Sequence, residues 1–428
     1  MRQNQSFVLK GNILYTPQSN KLECIPNGYL VCVDGAVAGA FTSLPQQYAS
    51  LPLQDYGDKL LLPGLVDTHM HAPQYAFHGT AMDKELLDWL NSQTFPEESK
   101  YKDLAYAAKA YSIFVEELKN GATTRAGIFA TLHGTATILL MDMLEEAGLC
   151  TFVGKVSMNR NSPPYLCEEN AAAALENIRL WLQQCKEKEY KRTSPILTPR
   201  FIPSCCDELL QGIAQIQQQT GLPVQSHLSE NPSEVEWVQE LCPQSSSYAD
   251  AYHQFGLFGG NGNTAVMGHC VYVNQDEMEL MRRNGVIVAH CPVSNSHLSS
   301  GIAPIRKFLN QEILVGLGTD VAGGFSPSVF RAMVEAIQVS KLRWRLVDNT
   351  EKPLSATEAF YLGTKGGGAM FGRVGSFEEG YEFDALVVDD TSLPCPYEMS
   401  LEHRLERVIY LSDNSNIAAK YVRGMQVK

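Results

Sequence analysis

Long apolar runs and paired cysteines are absent from this sequence. It has no run of about eighteen apolar residues, so we predict no membrane-spanning helix. The 11 cysteines are odd in number and include no Cys-x-x-Cys pair, which excludes a disulfide scaffold and a thiolate zinc finger. Residues 1–17 lack the apolar stretch and small-residue cleavage site of a secretory signal. We expect a cytoplasmic protein with reduced cysteines.

Positive charge is also scarce. The chain has 34 Lys and Arg against 47 Asp and Glu, for a formal net charge of −13. Such a chain has no overall electrostatic attraction to polyphosphate or to an anionic membrane, which argues against nucleic acid polymers and membranes as partners. With 44% hydrophobic and 19% charged residues, the composition is that of a globular protein.

Several catalytic motifs are missing as well. The sequence contains no Walker A loop, no G-x-G-x-x-G after a strand and no G-x-S-x-G nucleophile elbow. It also lacks the H-x-x-x-H spacing of helical zinc proteases and the H-x-E with P-C-x-x-C of zinc base deaminases. Hydrolysis by a metal-activated water is the chemistry that remains open.

The middle of the chain alternates between short apolar runs and amphipathic stretches. One such stretch carries an apolar stripe from Leu104 to Leu118 and stops at Asn120-Gly121, as a helix does. The candidate strands lie at residues 61–70, 122–130, 150–158, 195–203, 222–229, 264–270, 285–291 and 312–320. Strands alternating with helices indicate an α/β fold. The number eight favours a (β/α)8 TIM-type barrel over an open doubly wound sheet, which the pattern also permits.

Both ends of the chain are rich in strand patterns. Asn27-Gly28 and Asp34-Gly35 have the composition of hairpin turns, and EFDALVVDD, RVIYLS and AAKYVRGMQVK follow near the C-terminus. We predict that residues 1–60 and 375–428 meet in a small β-sandwich domain, beside a barrel of residues 61–374. The long connection at residues 71–101 is equally consistent with a lid and with a surface excursion.

Histidines and one aspartate occur where candidate strands end. His69 and His71 are two residues apart, so both imidazoles face the same side of a strand. His227, His269 and Asp320 end three further strands, and the C-terminal ends of barrel strands form one face. A single strand-end histidine is more often a structural residue, but five candidate ligands on one face predict a metal site. This ligand set favours zinc, permits iron(II) and disfavours magnesium and calcium.

Glu230 follows His227 by three residues. A carboxylate at this spacing could reach a metal-activated water without binding the metal, and could then carry protons. The alternative is a solvated loop glutamate, which is the commoner case for an isolated residue.

These segments together resemble a known superfamily. PGLVDTHMH, followed by His227, His269 and Asp320, resembles the amidohydrolases. HAPQYAFHG, LLDWLNSQTFPEES, FVGKVSMNRN, TPRF, QSHLSEN, AHCPVSNSHLSSG and GLGTDVAGG occur in the order found in the guanine-deaminating members, over most of residues 55–375. DTHMH is shared by many hydrolases, whereas TPRF with HAPQ and SHLSEN is far more specific.

The resemblance implies functions for individual residues. One zinc ion would be bound by four side chains, with His269 either completing the site or polarising the attacking water; the four are His69, His71, His227 and Asp320. Gln74 and Arg200 would donate hydrogen bonds to the purine carbonyl, with Phe201 against the ring. Glu230 would shuttle protons, and Asp320 would act as the base. The implied enzyme is a cytoplasmic homodimer that converts guanine and water to xanthine and ammonia.

Alternatives remain open from the sequence. The same fold could act on another aminopurine, a pterin or a triazine. A two-metal site bridged by carboxylated Lys155 is less consistent with the ligand pattern, and a non-catalytic scaffold is not expected to keep all the ligands. The chain departs from the family pattern in the glycine-rich GTKGGGAMFG segment and at His297, where an apolar residue is commoner.

Overall fold

The computed structural model describes residues 6–428. Its strands are β1 (Phe7–Gln18), β2 (Lys21–Val33), β3 (Ala36–Phe41), β4 (Leu53–Pro63), β5 (Leu65–His71), β6 (Thr123–Phe129), β7 (Cys150–Gly154), β8 (Val156–Ser157), β9 (Thr193–Pro195), β10 (Thr198–Pro199), β11 (Val224–Leu228), β12 (Ala265–His269), β13 (Ile287–His290), β14 (Leu314–Leu317), β15 (Ala385–Val388), β16 (Ile417–Val422) and β17 (Met425–Gln426).

The α-helices lie mostly between the strands of the middle segment. They are α1 (Leu86–Trp89), α2 (Phe95–Ser99), α3 (Leu104–Asn120), α4 (Gly134–Ala147), α5 (Ala171–Lys188), α6 (Asp207–Thr220), α7 (Pro232–Leu241), α8 (Tyr248–Phe255), α9 (Gln275–Asn284), α10 (Pro292–His297), α11 (Ile305–Asn310), α12 (Val329–Leu346), α13 (Ala356–Tyr361) and α14 (Leu401–Leu411). Within residues 6–428, no helix has the length and apolar character needed to cross a membrane.

Parallel strands form the barrel. β5, β6, β7 and β9 are successive neighbours, and β11, β12, β13 and β14 form a second parallel group. A parallel bridge between Leu197 and Val224 joins the two groups on one side. On the other side, the Thr68 hydroxyl of β5 donates to the carbonyl oxygen of Leu317 in β14 at 2.9 Å. The predicted (β/α)8 barrel is therefore confirmed. Each predicted strand segment overlaps a barrel strand, although segment 195–203 shares only Pro195 with β9.

The local sequence explains these elements. All residues of β5 and β6 are buried, since a barrel strand packs against helices outside and against other side chains inside. Helix α3 begins where the Asp103 carboxylate accepts a hydrogen bond from the Ala105 backbone N–H at 2.8 Å, and it ends before Gly121. The predicted helix is confirmed, although Leu104 at the start of its apolar stripe is exposed.

The two ends of the chain join in one mixed sheet. Its strand order is β17-β16-β15-β4-β1-β2-β3, and β4 pairs in parallel with β1 and antiparallel with β15. Because β4 connects the two halves, the strands form one continuous hydrogen-bonded sheet of seven strands, and its two halves share an apolar core that includes Leu30 of β2 and Val387 of β15. β4 runs to Pro63 and so passes through the predicted boundary at residue 60; the domain limits remain a prediction.

Two local predictions in these end segments are wrong. The RVIYLS run is not a strand but the end of α14, which buries Leu405, Val408 and Ile409 at helical spacing. Asn27-Gly28 does not form a hairpin turn, because β2 continues through it with Asn27 at a φ of 49° and a register shift against β1. Asp34-Gly35 does connect β2 to β3 as a turn.

Glycines let the segment after α13 approach the barrel closely. The helix continues as a π-helical turn over Leu362–Gly366. A Cβ atom on Gly366 would lie 2.6 Å from the Val315 carbonyl oxygen, and one on Gly367 would lie 3.2 Å from Cγ2 of Thr68. The glycine-rich departure from the family pattern therefore has a packing explanation.

Candidate active site

Four predicted metal ligands converge at the C-terminal face of the barrel. His69 and His71 come from β5, His227 from β11, and Asp320 from the turn after β14. Oδ1 of Asp320 lies 3.2 Å from Nε2 of His69 and 3.3 Å from Nε2 of His71. Nε2 of His71 lies 3.2 Å from Nε2 of His227. The chain thus contains a buried metal-binding cluster.

The cluster has the dimensions and protonation that a zinc ion requires. Ligand atoms about 2.1 Å from a tetrahedral zinc are about 3.4 Å from one another, close to the separations observed. Burial lowers the pKa of His69, His71 and His227, which keeps each imidazole neutral with a lone pair available. Although burial opposes it, His69 and its neighbours hold the pKa of Asp320 well below its usual range. Four electron-pair donors at such distances are mutually repulsive unless a cation lies between them.

Surrounding groups orient these imidazoles. Nδ1–H of His227 donates to the backbone carbonyl of Arg200 at 2.6 Å, which leaves Nε2 for the metal. The Phe129 ring, at the end of β6, packs against the imidazole rings of these three histidines at centroid distances of 4.7 to 4.9 Å. The sequence analysis did not single out Phe129, because an apolar strand end carries no chemical signal.

Asp67 is a second supporting residue that the sequence analysis did not assign. Its carboxylate accepts hydrogen bonds from the backbone N–H of His69 at 3.2 Å and of Thr319 at 3.0 Å, and from the Thr319 hydroxyl at 2.5 Å. Asp67 therefore connects the first barrel strand to the turn that carries Asp320.

His269 belongs to the same buried cluster, in a group with His69, Cys291 and Asp320, and it faces two carboxylates. Its Nε2 is 3.4 Å from Oε2 of Glu230 and 3.8 Å from Oδ2 of Asp320. Nδ1–H donates to Oδ1 of Asn295 at 2.8 Å. Although burial opposes it, Glu230 raises the pKa of His269. This arrangement places His269 between the four predicted ligands and Glu230.

Cys291 also lies within ligand distance of the cluster, which the sequence did not predict. Burial raises the pKa of its thiol well above the usual range, so the thiol keeps its proton. It donates to the carbonyl oxygen of Ala289, with a sulfur–oxygen distance of 3.3 Å. The Lys155 ammonium, 2.9 Å from Glu168, belongs to a separate buried ion pair.

Glu230 is buried at the edge of the same cavity. Its Oε1 accepts from the Ser300 hydroxyl at 3.3 Å, and Glu234 accepts from its backbone N–H at 2.9 Å. Burial raises the pKa of Glu230 to about 7. A carboxyl group with such a pKa exchanges protons readily near neutral pH.

Sharp turns bring these groups off the strand ends. Ser229, His269, Cys270 and Asp320 have positive φ angles of 48°, 69°, 51° and 47°. Non-glycine residues adopt this region at a cost, and such residues concentrate at functional sites. The turns redirect the chain at the same face of the barrel where the ligands meet.

The predicted substrate-binding residues line the same cavity as the cluster and Glu230. Gln74, Arg200 and Phe201 are all buried, and Arg200 lies over the Phe95 ring with 5.2 Å between its guanidinium carbon and the ring centroid. Leu86, Trp89 and Leu90, from the segment that follows β5, contribute apolar side chains to the lining of this cavity.

A carboxylate that the sequence analysis did not predict connects Gln74 and Arg200. Glu98 of α2 is completely buried; it accepts from Nε2 of Gln74 at 3.0 Å and from Nη1 of Arg200 at 2.7 Å. The only sequence signal is the acidic FPEES segment, which does not reveal a partner 102 residues away.

His297, the other departure from the family pattern, donates from Nδ1 to the Gly323 carbonyl at 2.6 Å.

Comparison with known proteins agrees with this geometry. Residues 60–427 match the amidohydrolase family. The chain is 34% identical to the guanine deaminase of Dictyostelium discoideum over the full length of both proteins. It is 38% identical to the human guanine deaminase, over 86% of this chain and 83% of that protein.

Solved structures agree as well. The crystal structure of guanine deaminase from C. acetobutylicum, which holds guanine in its active site, is similar with a TM-score of 0.95. It is 43% identical over 99% of this chain and 100% of that chain. The E. coli guanine deaminase structure is similar with a TM-score of 0.87 and 31% identity, over 99% of both chains. The chain therefore belongs to the guanine deaminases of the amidohydrolase family.

Proposed function

We propose that this enzyme hydrolyses guanine to xanthine and ammonia, and that different residues around the cavity bind the metal, transfer protons and orient the purine ring. The observation that carries the assignment is the cavity itself, which is lined by residues of the metal-binding cluster and by Glu230, Arg200 and Gln74. A purine whose C2 lies at the cluster and whose O6 faces Arg200 would fill this space.

Zinc is the metal that suits the donor set. His69, His71, His227 and Asp320 would hold one ion, since neutral imidazoles and a carboxylate are the ligands that zinc prefers. When bound, zinc supplies the Lewis acidity that makes a water molecule nucleophilic near neutral pH.

The protein side chains would move the protons. Asp320 takes the first proton from the attacking water, while His269, 3.8 Å from its Oδ2, orients that water. Glu230, in its protonated form, donates a proton to N3 of guanine as the water oxygen bonds to C2. The proton on Asp320 then passes to the amino group, the C2–N bond breaks and ammonia leaves, while Glu230 regains its proton from the hydroxyl group on C2. In the net balance, both hydrogens of the water are thereby accounted for, one on N3 of xanthine and one on ammonia.

Arg200 would set the orientation of the ring. Its guanidinium is charged at any working pH and can donate to O6. The Phe201 ring lies beside it, at the cavity wall, and can pack against the purine.

The test is ammonia release from guanine, 8-oxoguanine, adenine, cytosine and ammeline, with bound zinc measured on the same sample. We expect selective turnover of guanine and about one zinc per chain. Turnover of another compound with guanine inert would overturn the substrate assignment. Zinc-loaded protein that releases no ammonia from any compound would overturn the proposed reaction.

We further propose that the enzyme is a cytoplasmic homodimer, as its resemblance to the family implies. Buried cysteine thiols suit a reducing compartment. Light scattering on the purified chain should give twice the monomer mass of 47.3 kDa, and fractionation of cells should recover the activity with cytoplasmic markers. A monomeric mass or activity in another fraction would contradict the corresponding part.

A further inference from the structure

We propose that Glu98 is a positioning residue that determines which base edge the active site accepts. Its carboxylate would orient the Gln74 amide so that the carbonyl oxygen accepts a hydrogen bond from the base. It would also orient the Arg200 guanidinium so that this group donates one. The inference rests on the proposed function, because it concerns how the same cavity distinguishes guanine from other 2-aminopurines.

The orientation of the Gln74 amide follows from hydrogen-bonding chemistry. A carboxylate can only accept hydrogen bonds, so the group that approaches Oε1 of Glu98 at 3.0 Å must be the amide nitrogen of Gln74. The carbonyl oxygen of this amide therefore points away from Glu98. Among residues 6–428, no protein group donates a hydrogen bond to that oxygen, and Gln74 lines the cavity. Gln74 then offers the substrate an acceptor, where its family resemblance suggested a donor to O6.

Glu98 also holds the Arg200 guanidinium in place, as a hydrogen-bond donor toward the cavity. Its other oxygen, Oε2, lies 2.7 Å from Nη1 of Arg200, and the guanidinium packs over Phe95 of the same helix. Both charges are buried, so each depends on the other for compensation. Since guanidinium has only N–H groups, Arg200 can present nothing but donors to the cavity.

One acceptor and one donor together match one edge of guanine. The edge formed by N1 and C6 carries an N–H donor at N1 and a carbonyl acceptor at O6. In 2,6-diaminopurine the same edge has a bare nitrogen at N1 and an amino group at C6, which reverses both. That compound keeps the reactive 2-amino group, so its C2 can undergo the same hydrolysis. A site built to bond polar groups rejects an analogue that leaves them unpaired.

Replacement of Glu98 by Gln should relax this discrimination. The new side chain is nearly isosteric, but its amide can donate to the Gln74 carbonyl, which allows the Gln74 amide to turn its nitrogen toward the substrate. We expect kcat/KM for guanine to fall about 100-fold or more, mostly through KM, and the preference for guanine over 2,6-diaminopurine to narrow by about 10-fold or more.

Glu97→Gln is the matched control. Glu97 is the neighbouring residue of α2 and is also buried, but it bonds to Lys100 and Tyr106, away from the cavity. It should leave both the activity and the preference unchanged. Melting temperature and zinc content are measured on each variant, so that a general loss of structure is recognised.

The outcomes separate this proposal from the proposed function. Wild-type protein inactive on guanine would overturn both. Active wild type, with Glu98→Gln equally impaired on the two purines or not impaired at all, would overturn only the positioning of Gln74 and Arg200. If Glu98→Gln does not fold, Gln74→Met replaces it, because removal of the acceptor should narrow the same preference. An unchanged preference in Gln74→Met would overturn the proposal.

Discussion

Glu230→Gln is the substitution that most directly tests the proposed proton transfer. Glu230 is buried, contacts His269 and Ser300, and is not one of the four proposed metal ligands. Gln keeps the shape and the ability to accept from Ser300, but it cannot take up and release a proton at any working pH. The change therefore removes the proposed chemistry and leaves the metal ligands in place.

The expected magnitude follows from the role of a positioned acid–base group. Such groups contribute about 10²- to 10⁴-fold to rate, which corresponds to about 3 to 5 kcal/mol of activation free energy. We expect kcat to fall by that factor and KM to change little, because Arg200 and Gln74 are untouched. The fold should not be weakened, since the neutral amide lacks the negative charge that Glu230 places near the buried Glu234.

The assay is steady-state ammonia release together with bound zinc and melting temperature on the same preparations. Glu236→Gln is the control, because it removes one exposed carboxylate from nearby α7 and should change none of the three. Wild-type turnover in Glu230→Gln would refute the proton-shuttle assignment. Loss of zinc in the variant would instead identify Glu230 as a metal ligand.

Three further predictions concern stability and metal. Dialysis against a chelator should abolish turnover and lower the melting temperature, and added zinc should restore both; activity that persists in metal-free protein would contradict the metal assignment. Arg125→Met should lower the free energy of unfolding in urea by about 3 to 5 kcal/mol, because buried Asp384, 2.6 Å from Nε of Arg125, loses its charge partner. A decrease of less than about 1 kcal/mol would show that the ion pair is dispensable for stability. Burial lowers the pKa of Lys420 from 10.5 to about 7, so between those values the unfolded chain binds a proton that the folded chain lacks, and the cost of burying this lysine decreases as pH rises. The melting temperature of wild type minus that of Lys420→Met should therefore increase from about pH 7 to about pH 9; a constant difference would contradict the shift.

The sequence predicted most of the fold because the relevant patterns are local. A buried parallel strand is a short apolar run and a surface helix has an apolar stripe, and both can be recognised within about ten residues. RVIYLS shows the limit of this reasoning. Its apolar residues fit a strand by composition, but Leu405, Val408 and Ile409 pack as one face of a helix. Short apolar runs do not distinguish the two structures.

In the active site, too, some features could be predicted from the sequence and others could not. Backbone periodicity puts His69 and His71 on one side of a strand. The common direction of the barrel strands puts His227, His269 and Asp320, at or just after the ends of β11, β12 and β14, on the same face. The sequence by itself therefore determined which groups could meet at a metal.

Only the tertiary structure decided what lies behind those groups. Glu98 reaches Arg200 across 102 residues and Gln74 across 24 residues. Asp67 reaches Thr319 across 252 residues. Such pairings depend on the closure of the barrel and on the path of the loop over it. The resulting polarity of the Gln74 amide is a property of three-dimensional hydrogen bonding, which no local pattern encodes.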